Sequence, residues 1–461
     1  MTLKEDLIKL VAALNHVHAG AFNWSVQDGF PDFVTAESGM QVHFTRDARR
    51  ALRKISETLL ANRSPDSIKV EIGPYEKVVR QIVADLYAQD DFEESMADEG
   101  KKVIEKLKLL SEQRLSSNSH EFTHYIPAWT VGLENDSPFK LGPVTIFNRM
   151  DWIDRVEFSP KAMKTFLGES EANHHWKDLV RSALRKQSGE VDLTGLAGPV
   201  YSAVSTCPAL LEVTVRGYEQ NFSKKLAKLV AKTALDCTSL VLGNAEFFFQ
   251  QAVQEERLPP AGSDSLMSTN GYLWLPGSSI GKRLRHLSGA RLRQAKDDVN
   301  LLVPEFSSIL SALIDPASHS HPKLAMRWAT ALDWFGEGNR ELSDAIAVAK
   351  LGSCLDVLGC GGKFAGIRDM VVNLTNTSGD TIVVKGDRPL TLAELIKNIY
   401  DDGRSKILHG THFDRLKSFE VERRQASEVA RVVLIAAAKR LMHYSGSDVD
   451  KAFRTMQSSS A

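Results

Sequence analysis

Arg404 and His409 stand five positions apart in Tyr400-Asp401-Asp402-Gly403-Arg404-Ser405-Lys406-Ile407-Leu408-His409-Gly410. A guanidinium is a fixed, planar cation whose N–H fork matches phosphate oxygens. An imidazole gains and loses a proton near neutral pH. Together they are suited to metal-free attack on an RNA phosphodiester, because RNA carries its own nucleophile, the 2′-OH. His409 would act as general base or acid, a role typically worth ~10²–10⁴ in rate. Arg404 would stabilise charge on the phosphate oxygens through paired hydrogen bonds. The expected products are a 2′,3′-cyclic phosphate and a 5′-OH, and DNA should resist. The pair also has an ordinary alternative, a salt-bridged helix arginine and a satisfied core histidine.

Spacing constrains the pair. On an unbroken α-helix five residues turn through about 500°, a net of about 140°, so the two side chains would not share a face. Two arrangements resolve this. Gly403 breaks the helix and Arg404 opens a new one, or working pairs assemble across a two-fold axis. Asp356 is a third candidate. In the last turn of its helix an acid opposes the helix dipole at a typical cost of ~0.3–1 kcal/mol. It continues the small-residue row Ala345, Ala349 and Gly352, where another helix can come close. A cation such as Arg404 would offset the cost, and Asp356 would orient it; the alternative is a plain surface acid.

Other motifs carry less. His120-Glu121-Phe122-Thr123-His124 matches HExxH, which needs a helix to bring its histidines together. Polar residues precede it, Pro127 follows and a strand-like run comes next. An extended segment would hold the histidines roughly 13 Å apart. His174-His175 and His319-Ser320-His321 lack companions and read as exposed loop histidines, so no metal or cofactor is expected. Lys282, Arg283, Arg285, Arg291, Arg293 and Lys296 form the densest basic cluster, with Tyr272 and Trp274 upstream. Lys282, Arg283, Arg285, Arg291 and Arg293 are the candidate RNA contacts, against the alternative of a solvated helix face paired with acids. Arg423, Arg424, Arg431, Lys439 and Arg440 would line a groove or solvate the last helix.

The positioning elements follow from periodicity. Residues 1–115 read as mainly helical, with Leu3, Leu7, Leu10 and Val11 on one face and Ala51 to Leu60 on another. The run from Glu93 to Lys108 reads as a solvated face. Residues 116–314 mix strands and helices. Ile126 to Leu133, Val144 to Phe147 after Gly142-Pro143, and alternating Leu211, Val213 and Val215 are the strands. A helix capped by Ser223 should follow, and Pro259, Pro260, Gly262 and Ser263 mark a loop. Residues 315–461 are helical. One helix carries Leu324, Trp328 and Phe335; the next is capped by Ser343 and ends at Gly359. Residues 359–390 read as an insertion with a strand pair. Thr391 and Glu394 form a capping box, and a final helix runs from about Ser418 to His443. Its Val429 to Ala438 stretch is apolar nearly all round, which suits a bundle centre or a dimer interface. The expected fold is α+β, predominantly α, a mixed α/β N-terminal region followed by a helical bundle.

Composition sets limits. At 461 residues, 43% hydrophobic and 25% charged, the chain is of ordinary globular type. A formal net charge of −1 leaves nucleic-acid contacts to local patches. Cys207, Cys237, Cys354 and Cys360 show no zinc-like spacing. With no leader-like N-terminus and no membrane-length apolar run, the expectation is a reduced, cytoplasmic protein.

Residues 315–445 resemble the HEPN superfamily, and within it the ApeA-like HEPN domains. The resemblance rests on Cys354-Leu355-Asp356-Val357-Leu358-Gly359, on Tyr400-Asp401-Asp402-Gly403-Arg404 and on Ile407-Leu408-His409-Gly410. The family motif places a histidine four to six residues after an arginine, and Arg404 and His409 match it. The intervening position that is often an amide is Ser405 here. The resemblance implies a metal-independent endoribonuclease acting as a homodimer or higher homo-oligomer. It implies a toxin or anti-phage defence effector of bacteria, with RNA as substrate and a phage-derived or nucleic-acid trigger. Its alternative is a non-catalytic HEPN protein that binds RNA or another protein.

Overall fold

The structure is a computed structural model that describes residues 2–19, 32–90, 92, 100–117, 121–167, 175–185, 193, 195–256, 262–273, 277–280, 286–412, 414 and 416–456. The fold is α+β and predominantly α. The chain separates into two units, Met1–Phe122 with Val215–Leu226, and Thr123–Thr214 with Ala227–Ala461.

Among the described residues the first unit is built chiefly on the helices α1 (Leu3–His18), α2 (Arg46–Ala61), α3 (Ile72–Tyr87) and α4 (Lys101–Ser116), with a short hairpin of β1 (Asp32–Thr35) and β2 (Gln41–Phe44). Thr2 and Glu5 form a reciprocal capping box that starts α1. The apolar stripes of the helices meet in one core around Leu10, Leu14, Phe44, Leu52, Tyr75 and Leu107. Beside it Arg63 donates to both oxygens of Glu112, at 2.6 and 3.0 Å.

The second unit opens within β3 (Glu121–Trp129), at Thr123, and continues with β4 (Phe139–Leu141) and β5 (Val144–Asn148). Among the described residues the short helices α5 (Arg149–Arg155), α6 (Pro160–Leu167), α7 (Trp176–Arg185) and α8 (Ala197–Val204) follow, then β6 (Ala209–Arg216). After α9 (Gln220–Leu242) and α10 (Ala245–Gln250), β7 (Ala252–Val253) completes a sheet in the order β4-β5-β6-β3-β7. Val144 faces Val213 and Ile146 faces Leu211, so alternate side chains of both strands share the buried face. The expected strands are present. Ser223 is not the cap of α9. It lies inside the helix and donates to the Gln220 carbonyl, while Glu219 accepts from the Asn221 and Phe222 amides.

Gly262, expected in a loop, begins a strand. β8 (Gly262–Ser265) pairs with β11 (Gly277–Ile280), and β9 (Ser268–Thr269) with β10 (Tyr272–Leu273), across an Asn270-Gly271 turn. Both turn residues have positive φ, 53° and 83°, as this hairpin turn requires. Pro259, Pro260 and Trp274 lie outside the described residues.

A helical bundle follows: α11 (Gly289–Asn300), α12 (Val303–Ile314), α13 (Pro322–Arg340), α14 (Asp344–Leu358) and α15 (Lys363–Thr375). The strand pair β12 (Ile382–Val384) and β13 (Leu390–Thr391) precedes α16 (Leu392–Lys397). A π-helical segment, Asn398–Ser405, continues it into α17 (Lys406–Leu408), and α18 (Glu420–Met442) is the last long helix. α18 packs against α12, α13, α14 and α15, with Ala430, Val433, Leu434, Ala437 and Ala438 of its apolar stretch buried and Val432 left exposed. α12 packs on α13 and α18, across position 315.

Residues 359–390 hold the strand pair, but also the whole of α15. Gly361 and Gly362, with φ of 70° and 87°, make the turn into that helix. His319 and His321 are not exposed loop residues. His321 is buried, with its Nε2 2.8 Å from the Gly446 carbonyl, and His319 Nε2 lies 2.9 Å from Ser308 Oγ. Among the described residues no single helix is long and apolar enough to cross a membrane.

Candidate functional site

Three stretches of the bundle carry the candidate residues. Asp356 lies in the last turn of α14, Arg404 in the π-helical segment and His409 at the cap of α17. The start of the second stretch follows local rules. Thr391 Oγ1 accepts from the Glu394 amide, and Glu394 accepts in return from the Thr391 amide at 2.9 Å. Leu392, Leu395 and Ile396 turn inward.

Gly403 does not break the helix. The backbone runs from Leu392 to Leu408 through a π-helical turn. Such turns hold more residues than an α-turn, which shifts the face on which later side chains emerge. Glycine is needed at 403 for contact, since a Cβ there would lie 2.5 Å from Val348 Cγ1 of α14. Gly352 does the same on the facing helix, where a Cβ would lie 2.8 Å from Arg404 Cβ. The two helices thus close on a glycine from each side. The small-residue row of α14 is the surface they close on.

This contact sets the arginine. Arg404 Nη2 lies 2.9 Å from Asp356 Oδ2. Its Nε donates to Ser353 Oγ at 3.3 Å, and Ser353 donates onward to the Ala349 carbonyl at 2.9 Å. The guanidinium also lies over the Tyr400 ring, 5.4 Å from its centroid. Nη1 has no partner among the described residues, which leaves an N–H edge for an incoming anion. Asp356 Oδ1 is buried with no hydrogen-bond partner among the described residues. The ion pair expected from the sequence is therefore formed. The sequence pattern alone gives Ser353 and Tyr400 no role; serine four residues after Ala349 on the small-residue row is the available signal.

His409 is exposed, so it is not a satisfied core histidine. It caps α17 in a full C-terminal motif. Gly410 takes φ of 67°, its amide donates to Ile407 and the Thr411 amide donates to Lys406. The chain therefore turns away directly after the imidazole. No hydrogen bond joins His409 to Arg404 among the described residues.

The end of α14 is held from behind as well. α14 has Gly359 as its cap, but the left-handed residue is Cys360, with φ of 57°. Arg454 donates to the carbonyls of Gly359, Cys360 and Gly361, at 2.7, 3.1 and 2.7 Å. A guanidinium on the last carbonyls of a helix satisfies acceptors that lack partners within it. Nothing in the sequence pattern singled out Arg454.

The basic candidates divide. Arg291 and Arg293 are exposed on α11, without an ion pair among the described residues, while Leu292, Ala295 and Val299 face inward. Lys296 is paired with Asp136 at 2.8 Å. Lys282, Arg283 and Arg285 lie outside the described residues. Three arginines of α18 are structural. Arg423 binds Asp344 and the carbonyls of Asn339 and Glu341. Arg431 donates to the Leu240 and Val241 carbonyls, and Arg440 to those of Met456 and Asn373.

Of the HExxH run, Glu121 to His124 lie on β3 and His120 falls outside the described residues, as does His174. Among the described residues no three His, Cys, Asp or Glu side chains are placed to hold a metal ion. The chain matches no family model, no curated protein and no solved structure.

Proposed function

We propose that this chain is an endoribonuclease of the HEPN type that needs no metal ion, an effector of the toxin or anti-phage class. The observation that supports the reading is the pairing of Arg404 with Asp356 at 2.9 Å, with an exposed histidine at the end of the same run of helix. Arg404 is held by an anion, a hydroxyl and a ring, so little side-chain freedom remains to be lost when phosphate binds. Its free N–H edge meets a non-bridging oxygen and offsets the charge that grows there in the transition state.

His409 takes the proton from the 2′-OH as that oxygen bonds to phosphorus. The bond to the 5′-oxygen breaks, and that oxygen receives a proton in turn. A cyclic phosphate and a 5′-OH result. One imidazole handles one proton at a time, so a second copy of the chain would supply the second His409 in a homodimer. Arg291 and Arg293, with Lys282, Arg283 and Arg285, are the proposed contacts to RNA phosphates outside the reacting bond.

A second reading is favoured by the same ion pair. An arginine held by a carboxylate, a hydroxyl and a ring also suits a non-catalytic module that binds RNA or a partner protein. A substrate with a single 2′-deoxy nucleotide at its cleavage position separates the two. The nuclease reading predicts binding without cleavage there and normal cutting of the all-ribose strand. Equal cutting of both would refute attack by the 2′-OH.

A further inference from the structure

A groove on the far end of the same helix has the make-up of a ligand site. Its volume is about 430 Å³, within the range of ~300–1,000 Å³ usual for small-molecule sites. Val371 of α15, Leu392 and Leu395 of α16, and Val429 and Val433 of α18 form its walls. β12 closes one side with Val383 and Val384. The lining is chiefly aliphatic. Its polar edge is formed by α18, with Arg424, Gln425 and Glu428.

The rim determines what would fit. Arg424 is exposed and has no ion-pair or hydrogen-bond partner among the described residues. The other arginines of α18 near the bundle, Arg423 and Arg431, are spent on carbonyls and on Asp344. Arg424 is therefore an available cation at the edge of an apolar wall. The hydroxyls of Thr375 and Thr377, also lining the groove, already donate to the Val371 and Thr375 carbonyls. Glu428, one turn along from Arg424, disfavours a second negative group on the ligand.

We propose that this groove binds a small amphipathic anion, an apolar body carrying one carboxylate or sulfonate that pairs with Arg424. Leu392 and Leu395 lie on the helix that continues through Asn398–Ser405 to Lys406–Leu408. A ligand packed on those two leucines also sets the position of Arg404 and His409. The groove is then a regulatory site for the cleavage centre. The regulatory part rests on the nuclease reading, whereas the binding part does not.

The full chain is titrated with anilinonaphthalene sulfonate, an apolar body with one sulfonate, and in parallel with Nile red, a neutral dye. Amide hydrogen exchange is followed over 392–410. The expected result is saturable one-site binding of the sulfonate probe. Arg424→Glu should weaken it about tenfold or more, the worth of one charge-assisted bond, and leave Nile red unchanged. Val432→Trp, at a groove residue 48% exposed, should displace both dyes without loss of helical signal. The bound probe should slow exchange between 392 and 410. Equal affinity of wild type and Arg424→Glu for the sulfonate probe would overturn the anion assignment. Unchanged exchange on saturation would overturn the coupling to Arg404. Should wild type self-associate and Val432→Trp alone be monomeric, the groove would belong to a second copy, and the ligand proposal would fall. None of these readouts requires cleavage of RNA.

Discussion

Arg404 and Asp356 meet at 2.9 Å where two helices close on Gly352 and Gly403. Asp356 lies in the last turn of its helix, where the dipole disfavours an acid. The guanidinium opposite offsets that cost, and in return the carboxylate fixes the guanidinium. Asp356→Asn keeps the shape and removes the charge. The expected result is a fall in RNA cleavage of about 10²-fold, as for a misplaced catalytic group, with circular dichroism and melting nearly unchanged. Cleavage at the wild-type rate would show that Asp356 has no orienting role.

The glycine contact gives a second prediction. Gly352→Ala places a methyl group 2.8 Å from Arg404 Cβ. One helix must move, at a typical cost of ~1–3 kcal/mol for overpacking. Urea unfolding should show that loss. Cleavage should fall further than in a variant destabilised equally elsewhere, such as Leu107→Ala in the core of the first unit. If the two variants lose activity alike, the contact acts through stability alone.

A buried ion pair gives a third. Asp236 of α9 is 1% exposed and paired with Arg340 of α13, which also donates to the Phe248 carbonyl at 3.0 Å. Arg340→Ala leaves the carboxylate buried without its partner, with an expected loss of about 3–5 kcal/mol. The double variant with Asp236→Leu removes the stranded charge and should recover much of it. Additive losses in the double variant would show that the pair is not coupled.

Stability should change with pH for two separate reasons, one below pH 4.5 and one on the approach to pH 6. The Arg63 bond to Glu112 holds that carboxyl below its ordinary value of 4.5. Burial opposes the same effect at Glu337, but the Lys232 bond and nearby cations prevail. These carboxylates stabilise the fold fully above 4.5, and the contribution is lost as pH falls through their lower folded values. Asp236 has the opposite sign. Burial pushes it up to about 6 from 3.8, against the pull of Arg340. Its contribution is complete below 3.8 and is lost as pH rises through about 6. Urea midpoints measured across this range should fall on the acid side in wild type and fall less there in Glu337→Gln. They should lose the decline approaching pH 6 in Asp236→Asn. Identical profiles for all three proteins would contradict both assignments.

Part of this arrangement was legible in the sequence because it depends on neighbours along the chain. The Thr391–Glu394 capping box and the small-residue row of α14 are local patterns. A cation opposite Asp356 follows from that row and from the acid's place at the helix end. The π-helical turn was not legible, since Leu392, Leu395, Ile396 and Ile399 form the same apolar face with or without it. In the sequence α15 reads as part of an insertion, because Gly359, Gly361, Gly362 and Gly366 crowd its start. Gly366 is required there by packing, as a Cβ would lie 2.6 Å from the Gly361 carbonyl. The burial of His321 depends on Gly446, 125 positions away. Arg454 caps α14 from 93 to 95 positions away, which no window along the sequence detects.

The most direct test incubates purified protein with total cellular RNA in EDTA, wild type beside His409→Ala. His409 is exposed, so its replacement should leave the fold intact. Wild type alone should cleave, leaving 2′,3′-cyclic phosphate ends. Cleavage that persists in His409→Ala, or that EDTA abolishes, would rule out the metal-independent mechanism at Arg404 and His409.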